Sequence, residues 1–452
     1  MIAARFSDKL ERCPERPFLL SPNSASNYAD FFEHCRKLAS GLRNLKGSRL
    51  ACYMADSTEL VAVMLAAGMS GKSLLMLNRD FAYQRLPSLI TRYNVDVLIS
   101  DSVPEVELPA TLLNMEALEE LAYAEPIQEY IDGEILILTS GTTGDPKCAR
   151  YTWADLFAQV NEKHAPQDER WLLAYRLNHF AGLQMLVHVL ENGSTLVMSR
   201  STRVAEALQT MLEFSVTHVS STPTFWRYAL ATLPETDHRL NLKHITLGSE
   251  PVSSSLLEQL QHTFPKARIV HIYASTEAGS CVSVSDMRPG LPISVLHRDE
   301  GSEVQFKVVE DELYIRSAHG MRGYAGADEI LKRNTEGWLA TGDLVRVEDD
   351  RILFMGRRSE TINVGGVKVH PLEVENIISA LSGVKLARAF GQENPIVGEI
   401  VAVEVVANDN YSEHDVEESI REVCLKLTRH ARPRSINFVD TIETNNLKLK
   451  RQ

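Results

Sequence analysis

Residues 135–147 read ILILTSGTTGDPK, an apolar strand that runs directly into a loop of glycine and hydroxyl-bearing residues and ends at Lys147. Glycines allow backbone N–H groups to turn toward one point, the Ser and Thr hydroxyls add donors, and the lysine adds a positive charge. The stretch therefore predicts a phosphate-binding loop after a β-strand. A flexible Gly/Thr turn has the same composition, and the strict Walker pattern fails because Cys148 stands where a Ser or Thr is required.

Three more chemistry-bearing segments follow this loop along the chain. They are YASTE at 273–277, GWLATGD at 337–343 and GRRSETINVGGVKVHPLEVE at 356–375. Together with TSGTTGDPK they resemble the ordered signatures of the acyl-adenylate-forming superfamily, which contains acyl- and aryl-CoA synthetases, the adenylation domains of nonribosomal peptide synthetases, and firefly luciferase. The resemblance spans about residues 138–451, whereas residues 1–130 match only in their alternation of strands and helices.

The resemblance implies a binding role for each charged, hydroxylated or aromatic side chain of these motifs. The first loop would lie over the β- and γ-phosphates of ATP. Glu277 would hold Mg²⁺, Thr276 would donate to the α-phosphate or the substrate carboxylate, and Tyr273 would stack on adenine. Asp343 would accept both ribose hydroxyls, and Arg357 would reach the same sugar. The nucleotide-binding residues implied in this way are Ser140, Thr142, Thr143, Lys147, Gly248, Ser249, Glu250, Tyr273, Asp343, Arg357 and Lys368.

Taken singly, these residues also fit structural roles. Tyr273 could be a core residue, Asp343 could shape a turn after a glycine, and Arg357 could form a surface ion pair. The order of the motifs along the chain favours the binding roles.

The end of the chain carries the lysine that the resemblance implies for catalysis. Residues 444–451 read TNNLKLKR, and Lys448 falls where the superfamily has a lysine that binds the substrate carboxylate and the α-phosphate. Leu447 replaces the glycine that usually precedes this lysine, which removes backbone freedom. Alternatively, this segment is a solvated basic tail, since Lys450 and Arg451 lie beside Lys448.

The stretch LLAYRLNHFAGLQML at 172–186 bears on the acid that is activated. It resembles the superfamily's helix entry with a histidine or aromatic gate, which makes His179 a fourth candidate catalytic residue beside Thr276, Glu277 and Lys448. Members that activate amino acids usually place an Asp near Phe180, because an ammonium in a dry pocket needs a counter-charge. The sequence therefore favours an acid with an uncharged acyl or aryl group, while His179 could instead be an ordinary half-buried histidine. Candidate pocket walls are Thr222, Phe225, Trp226, Gly248 and Ala274.

The alternation of short β-rich runs with helical stretches predicts an α/β fold. We expect a large N-terminal domain, residues 1–356, made of two α/β sheet lobes and a small β-rich lobe. A mobile α+β C-terminal lid, residues 357–452, should follow, with helices at 371–381 and 414–428 and a hinge near Ser359.

Composition narrows the classes of function. Lys plus Arg (47) minus Asp plus Glu (60) gives a net charge of −13, which disfavours a nucleic-acid partner. The first residues lack the apolar core of a signal peptide, and the apolar run at 60–69 is about half the length that spans a bilayer, so it predicts a buried helix. The 6 cysteines are far apart from one another in the sequence. This spacing predicts neither a zinc site nor a disulfide framework, and it fits a cytoplasmic location.

The resulting hypothesis is an ATP-dependent ligase that works in two steps. A carboxylate attacks the α-phosphate of ATP to give acyl-AMP and Mg²⁺-pyrophosphate, and a thiol then takes the acyl group. The thiol belongs to coenzyme A or to the phosphopantetheine arm of a carrier protein. Two alternatives remain open, a stand-alone adenylation enzyme that loads a separate acyl carrier protein and a non-catalytic nucleotide-binding relative.

Overall fold

The computed structural model describes residues 1–452 except 78, 80, 122–124, 126, 128, 140–145, 163–165, 167, 202, 234–239, 327–335, 443, 446, 447 and 450–452, and gives only the backbone of 444, 445, 448 and 449. The chain divides into two compact units. The first unit comprises residues 1–220, 274–280 and 318–331, and the second comprises residues 221–273, 281–317 and 332–452.

The first unit contains two sheets flanked by helices. One sheet has the strand order β6-β5-β3-β4-β7-β8, parallel except for the last pair, and the other runs β2-β1-β10-β9-β11. Its strands are β1 (Pro17–Ser21), β2 (Ser24–Asn27), β3 (Arg49–Tyr53), β4 (Ser73–Met76), β5 (Val97–Ser100), β6 (Thr111–Leu113), β7 (Glu134–Thr139), β8 (Lys147–Thr152), β9 (Arg170–Leu173), β10 (Thr195–Met198) and β11 (His218–Ser221). Its helices are α1 (Ile2–Arg12), α2 (Tyr28–Asn44), α3 (Thr58–Ser70), α4 (Leu86–Arg92), α5 (Met115–Leu121), α6 (Trp153–Phe157), α7 (Phe180–Asn192) and α8 (Val204–Glu213).

Helix α3 shows how the first unit builds its core. Ser57 accepts a hydrogen bond from the backbone N–H of Leu60 at the start of the helix, and Gly71 ends it in the left-handed conformation (φ 80°). Every residue from Leu60 to Ser70 is buried. The buried helix predicted for residues 60–69 is therefore confirmed, and no helix in the described part of the chain is long and apolar enough to cross a membrane.

The second unit carries a parallel pair, an antiparallel sheet and a C-terminal α+β region. Strand β12 (His244–Gly248) pairs in parallel with β13 (Arg268–Ser275), which lies beside β14 (Gly279–Val284). The antiparallel sheet has the order β15-β19-β18-β17-β16. Its strands are β15 (Leu291–Pro292), β16 (Val304–Val309), β17 (Glu312–Ser317), β18 (Leu339–Glu348) and β19 (Arg351–Arg357), and the helices of this part are α9 (Pro223–Thr232) and α10 (Ser254–Thr263).

The C-terminal region has a hydrophobic core of its own, built from the inward residues of a sheet and two helices. The sheet order is β21-β20-β23-β22, with β24 parallel to β23. These elements are β20 (Ile362–Val364), β21 (Val367–Val369), α11 (Pro371–Ile378), β22 (Val384–Asn394), β23 (Gly398–Ala407), α12 (Glu413–Val423) and β24 (Ser435–Phe438), followed by the hairpin of β25 (Thr444–Asn445) and β26 (Lys448–Leu449).

The predicted α/β class with a C-terminal α+β region is confirmed. Both predicted C-terminal helices are too long, however. Helix α11 ends at Ile378 because Ser379 begins a turn that leads to Gly383, and α12 ends at Val423, where a 3₁₀ turn over residues 424–426 replaces the last helical turn. The division at residues 356 and 357, and the mobility of the second part, stay predictions.

Candidate functional site

Asp343 is the centre of a polar cluster in the second unit. It lies on β18 directly opposite Arg357 on β19, so the antiparallel register brings the two motif residues together. The Arg357 Nε lies 3.1 Å from Asp343 Oδ1, and only 14% of the Asp343 side chain is exposed. The Tyr273 hydroxyl donates a 2.6 Å hydrogen bond to Oδ2. Three residues that the motifs singled out therefore meet at one carboxylate.

Tyr273 is held by its ring as well as by its hydroxyl. The ring stacks on Phe354 of β19, with centroids 5.1 Å apart and planes inclined by 23°. Burial and the neighbouring Asp343 carboxylate raise the pKa of Tyr273 well above its ordinary value, so the phenol stays protonated and keeps donating. An adenine stacked on Tyr273 would have to use the ring face opposite Phe354.

Glu312 supports the part of β18 that bears Asp343. Its Oε1 accepts the backbone N–H of Gly342 at 2.8 Å, and its Oε2 accepts from Arg358 at 2.8 Å. The strand needs glycine at this position because Gly342 has φ +76°. Glu312 is only 8% exposed, so its two charge-assisted hydrogen bonds offset the cost of burying the carboxylate.

A second cluster lies in the first unit, around Tyr324. The ammonium of Lys147 lies 5.4 Å from the centre of the Tyr324 ring, and the Tyr324 hydroxyl donates to Glu277 Oε1 at 3.2 Å. The lysine of the glycine-rich loop and the carboxylate of the YASTE motif thus contact the same aromatic side chain.

The segment that bears Tyr324 extends the sheet at β8. Tyr324 forms an antiparallel bridge with Ala149, the N–H of Arg150 donates to Gly323 O at 3.0 Å, and the N–H of Ala325 donates to Cys148 O at 2.7 Å. This backbone pairing fixes Tyr324 relative to the start of β8, where Lys147 lies.

Two further contacts join this segment to the rest of the first unit. Arg322 forms a two-pronged ion pair with Asp155 of α6, with distances of 2.7 and 2.8 Å. The N–H of Met321 donates to the backbone oxygen of Glu277 at 3.2 Å. The neighbouring Thr276 oxygen accepts from the Tyr151 hydroxyl at 2.5 Å, so the backbone of the YASTE motif is held at two successive residues.

The GSE turn at residues 248–250 follows β12 in the second unit. Ser249 has φ +71°, a conformation that costs a non-glycine residue on the order of 1 kcal/mol. Glu250 accepts hydrogen bonds from the N–H and the hydroxyl of Thr224, both at 3.0 Å, which ties the turn to the start of α9. Strain of this kind is concentrated at functional sites.

His179 lies at the start of α7, as the N-cap residue, and is half-buried. The turn before His179 borders a cavity of the first unit. The polar residues that line this cavity include Arg176 and Asn178 of the turn, together with Asp56 and Arg79. Asn178 is 8% exposed, and its Oδ1 has no hydrogen-bond partner among the described residues.

The remaining predicted residues fall into three groups. Phe225 and Trp226 are fully buried in α9 and pack against each other with ring centroids 5.5 Å apart, as core residues do. Lys368 is exposed on β21, and Lys448 begins β26, whose side chains are not described. Ser140, Thr142 and Thr143 lie outside the described residues.

Sequence reasoning missed Tyr324, Glu312 and Phe354. Glu312 had a weak signal, because it is an acidic residue directly before the apolar run LYI of the strand ELYIRS. Tyr324 and Phe354 had none, since an aromatic residue near a strand is usually core. Their roles arise from partners that are distant in the sequence.

The donor set around Glu277 fits a magnesium ion held together with substrate phosphates. Mg²⁺ prefers one or two carboxylates plus phosphate and water oxygens over an all-protein cage. Within the described ranges, no group of three or more His, Cys, Asp or Glu side chains is arranged to hold a metal. That Glu277 would hold Mg²⁺, where the ion would polarise a phosphoryl oxygen, stays a prediction.

Comparison with known proteins gives two family matches and many relatives. The AMP-binding enzyme family matches residues 6–325, and the AMP-binding enzyme C-terminal domain matches residues 373–447. A 2-succinylbenzoate–CoA ligase of Bacillus licheniformis is 24% identical, over 97% of this chain and 96% of its own.

Two solved structures show the same fold. The Bacillus subtilis o-succinylbenzoate CoA synthetase with its acyl-adenylate has a TM-score of 0.77 at 21% identity, over 99% of this chain and 96% of its own. An anthranilate CoA ligase with anthranoyl-AMP has a TM-score of 0.85 at 18% identity, over 99% of this chain and 95% of its own.

Proposed function

The chain belongs to the AMP-binding enzyme family, and from that premise we propose that it activates an aromatic carboxylic acid and transfers the acyl group to coenzyme A. As an AMP-forming acid–thiol ligase, it lets a carboxylate attack the α-phosphate of ATP, with pyrophosphate as the leaving group. The thiol then attacks the acyl carbon of the acyl-AMP, and AMP leaves as the thioester forms.

The observation that carries this proposal is the contact of Lys147 and Glu277 with the same Tyr324 side chain. A cation and a carboxylate near each other suit a triphosphate and its magnesium ion, because the cation faces phosphate oxygens while the carboxylate holds the metal. Neither group alone has this specificity.

The other motif residues are assigned to the nucleotide and to the reacting carboxylate. Asp343 would accept the ribose hydroxyls, supported by its hydrogen bond from Tyr273 and its ion pair with Arg357. Lys448 would stabilise the charge that develops between the attacking carboxylate and the α-phosphate. His179 would border the acid at the start of α7.

The proposal of an aromatic acid rests on two points. The relatives described above are named for 2-succinylbenzoate and anthranilate, which both carry a benzene ring. In addition, α7 begins with Phe180, where members that activate amino acids usually place an Asp, and this argues against an amino acid. We take 2-succinylbenzoate as the first acid to test because a relative is named for it, and its second carboxylate sets it apart from the uncharged group that the sequence favours.

Coenzyme A is the proposed thiol because the relatives named above are CoA ligases. A separate acyl carrier protein is the alternative acceptor, and it shares all of the adenylation chemistry. The two acceptors differ only in the second step, so that step must be measured with each.

Substrate-dependent exchange of labelled pyrophosphate into ATP tests the first step. We expect exchange with 2-succinylbenzoate, benzoate or anthranilate, and little exchange with α-amino acids. Thioester formation with coenzyme A then tests the second step, with a phosphopantetheinylated carrier protein as the parallel acceptor. A chain that binds ATP but shows no exchange with any acid of the panel would instead be a non-catalytic nucleotide-binding relative.

A further inference from the structure

We propose that Tyr324 is a positioning residue that orients Glu277 toward the magnesium ion and Lys147 toward the phosphates. This inference rests on the proposed function, because it concerns the same ATP. None of the four motifs contains Tyr324, which lies in HGMRGY at residues 319–324. Tyr324 acts through two other residues, one with its hydroxyl and one with its ring.

The hydroxyl of Tyr324 sets the orientation of the Glu277 carboxylate. An ionised carboxylate only accepts hydrogen bonds, so the phenol must donate to Oε1, 3.2 Å away. With Oε1 held in this way, the direction in which Oε2 points is also determined. Hydrogen-bonded partners of metal ligands tune affinity in this manner, and their loss typically weakens metal binding or activity about 10- to 100-fold.

The ring of Tyr324 restrains Lys147. The ammonium lies 5.4 Å from the ring centre, within the range of a cation–π contact. Such a contact leaves the formal charge of the lysine intact, whereas a carboxylate partner would neutralise it. The contact with the ring thus restrains the lysine without itself cancelling its charge.

The backbone holds Tyr324 firmly enough for this role. The segment on either side of it pairs with β8 through the Arg150 N–H and through the Ala325 N–H. Movement of Tyr324 relative to Lys147 would break these hydrogen bonds. The bond from Met321 to the Glu277 oxygen adds a second link to the carboxylate's own segment.

Two substitutions separate the hydroxyl from the ring. Tyr324→Phe removes the donor to Glu277 and keeps the aromatic face, whereas Tyr324→Leu removes both. Calorimetric binding of pyrophosphate, titrated at increasing free Mg²⁺ and without acid, reports on both contacts independently of turnover.

For Tyr324→Phe we expect the Mg²⁺ concentration at half-saturation to rise about 10-fold. The affinity for pyrophosphate at saturating Mg²⁺ should stay within about 2-fold of the original protein, because the ring contact to Lys147 is retained. For Tyr324→Leu we expect a similar Mg²⁺ shift and, in addition, pyrophosphate binding about 2- to 5-fold weaker at saturating Mg²⁺.

Tyr28→Phe is the matched control in the same unit. The Tyr28 hydroxyl is fully buried and donates to the backbone oxygens of Val189 and Ser194, so its loss should lower stability without moving the Mg²⁺ dependence. The inference is overturned if Tyr324→Phe leaves the Mg²⁺ half-saturation within 2-fold, or if the control Tyr28→Phe shifts it as much as Tyr324→Phe does.

Failure of the proposed function would look different. In that case the unmodified protein would bind no Mg²⁺-pyrophosphate, or would show no pyrophosphate exchange with any carboxylate. A protein that binds pyrophosphate and exchanges normally but ignores the loss of the Tyr324 hydroxyl would contradict only the positioning role.

Discussion

Each of the two units holds its own charged motif residues in a different way. In the second unit, Asp343 contacts its cation directly, with the Arg357 Nε 3.1 Å from Oδ1. In the first unit, Lys147 and Glu277 both contact Tyr324, which comes from a third segment of the chain. The first arrangement follows from the register of one hairpin, and the second requires three segments that are far apart in sequence.

From this difference we expect the two clusters to have different roles. A carboxylate paired with an arginine has much of its charge compensated, which suits the recognition of uncharged ribose hydroxyls. Tyr324 is neutral, so its contacts orient Lys147 and Glu277 without neutralising either, which suits a metal and phosphates. We therefore expect changes in the Tyr324 cluster to affect the rate, and changes in the Asp343 cluster to affect the binding of ATP.

Glu277→Gln should have the largest effect. It keeps the shape of the side chain but removes the charge that would hold Mg²⁺, and we expect the maximal rate of pyrophosphate exchange to fall about 100-fold or more. The KM for ATP should change much less. A rise in KM for ATP with an unchanged rate would mean that the two clusters do not divide the work in this way.

Asp343→Ala should mainly weaken the binding of ATP. Without the Asp343 carboxylate, the ribose hydroxyls lose a charged hydrogen-bond acceptor, so the KM for ATP should rise about 10- to 100-fold. The maximal rate should stay within about 3-fold of that of the unmodified protein. The matched control is Asp350→Ala, because Asp350 also pairs with an arginine, Arg288, at 2.6 Å but on the exposed surface. Unchanged ATP dependence in Asp343→Ala would rule out the ribose role.

Glu312 should show a smaller effect of the same kind. Glu312→Ala leaves the Gly342 N–H without its acceptor and should raise the KM for ATP about 5- to 10-fold. Glu312→Gln keeps an acceptor oxygen for Gly342 and should recover most of the loss. Equal defects in both variants would mean that the charge toward Arg358, and not the hydrogen bond from the Gly342 N–H, is what matters.

Arg322→Gln should have the smallest effect, on stability. Although burial opposes it, hydrogen bonds from Arg322 and Thr152 hold the pKa of Asp155 below its ordinary value. A carboxyl whose pKa is lowered by folding contributes stability above its unfolded pKa, and this contribution is lost as the pH falls through the folded pKa.

In the ion pair with Asp155, the Arg322 side chain is largely exposed. We therefore expect the midpoint temperature of unfolding at pH 7 to be lower in Arg322→Gln by no more than about 2 °C. Thermal unfolding at several pH values checks this. The difference between the two proteins should stay constant from pH 8 to about pH 4.5 and shrink at lower pH. A difference that disappears already near pH 6 would show that Asp155 is not the group responsible.

The sequence by itself determined the fold class and the family. The alternation of strands and helices, and the order of four motifs, depend on local chemistry: apolar periodicity, glycine conformations and side chains of a fixed type. It also brought Asp343 and Arg357 together as candidates for one role, and the register of β18 and β19 places them opposite each other. Their binding of a ribose stays a prediction.

Only the tertiary structure revealed the residues that hold these groups in place. Tyr324 and Phe354 carry no local pattern that marks them, and Glu312 carries only a weak one, because an aromatic or acidic side chain near a strand looks the same whether it packs in a core or supports a site. Their roles depend on which segments pair, as residues 322–325 do with β8. The contact between Lys147 and Tyr324 joins residues that are almost 180 positions apart in the sequence. A local sequence pattern does not reveal a contact across such a separation.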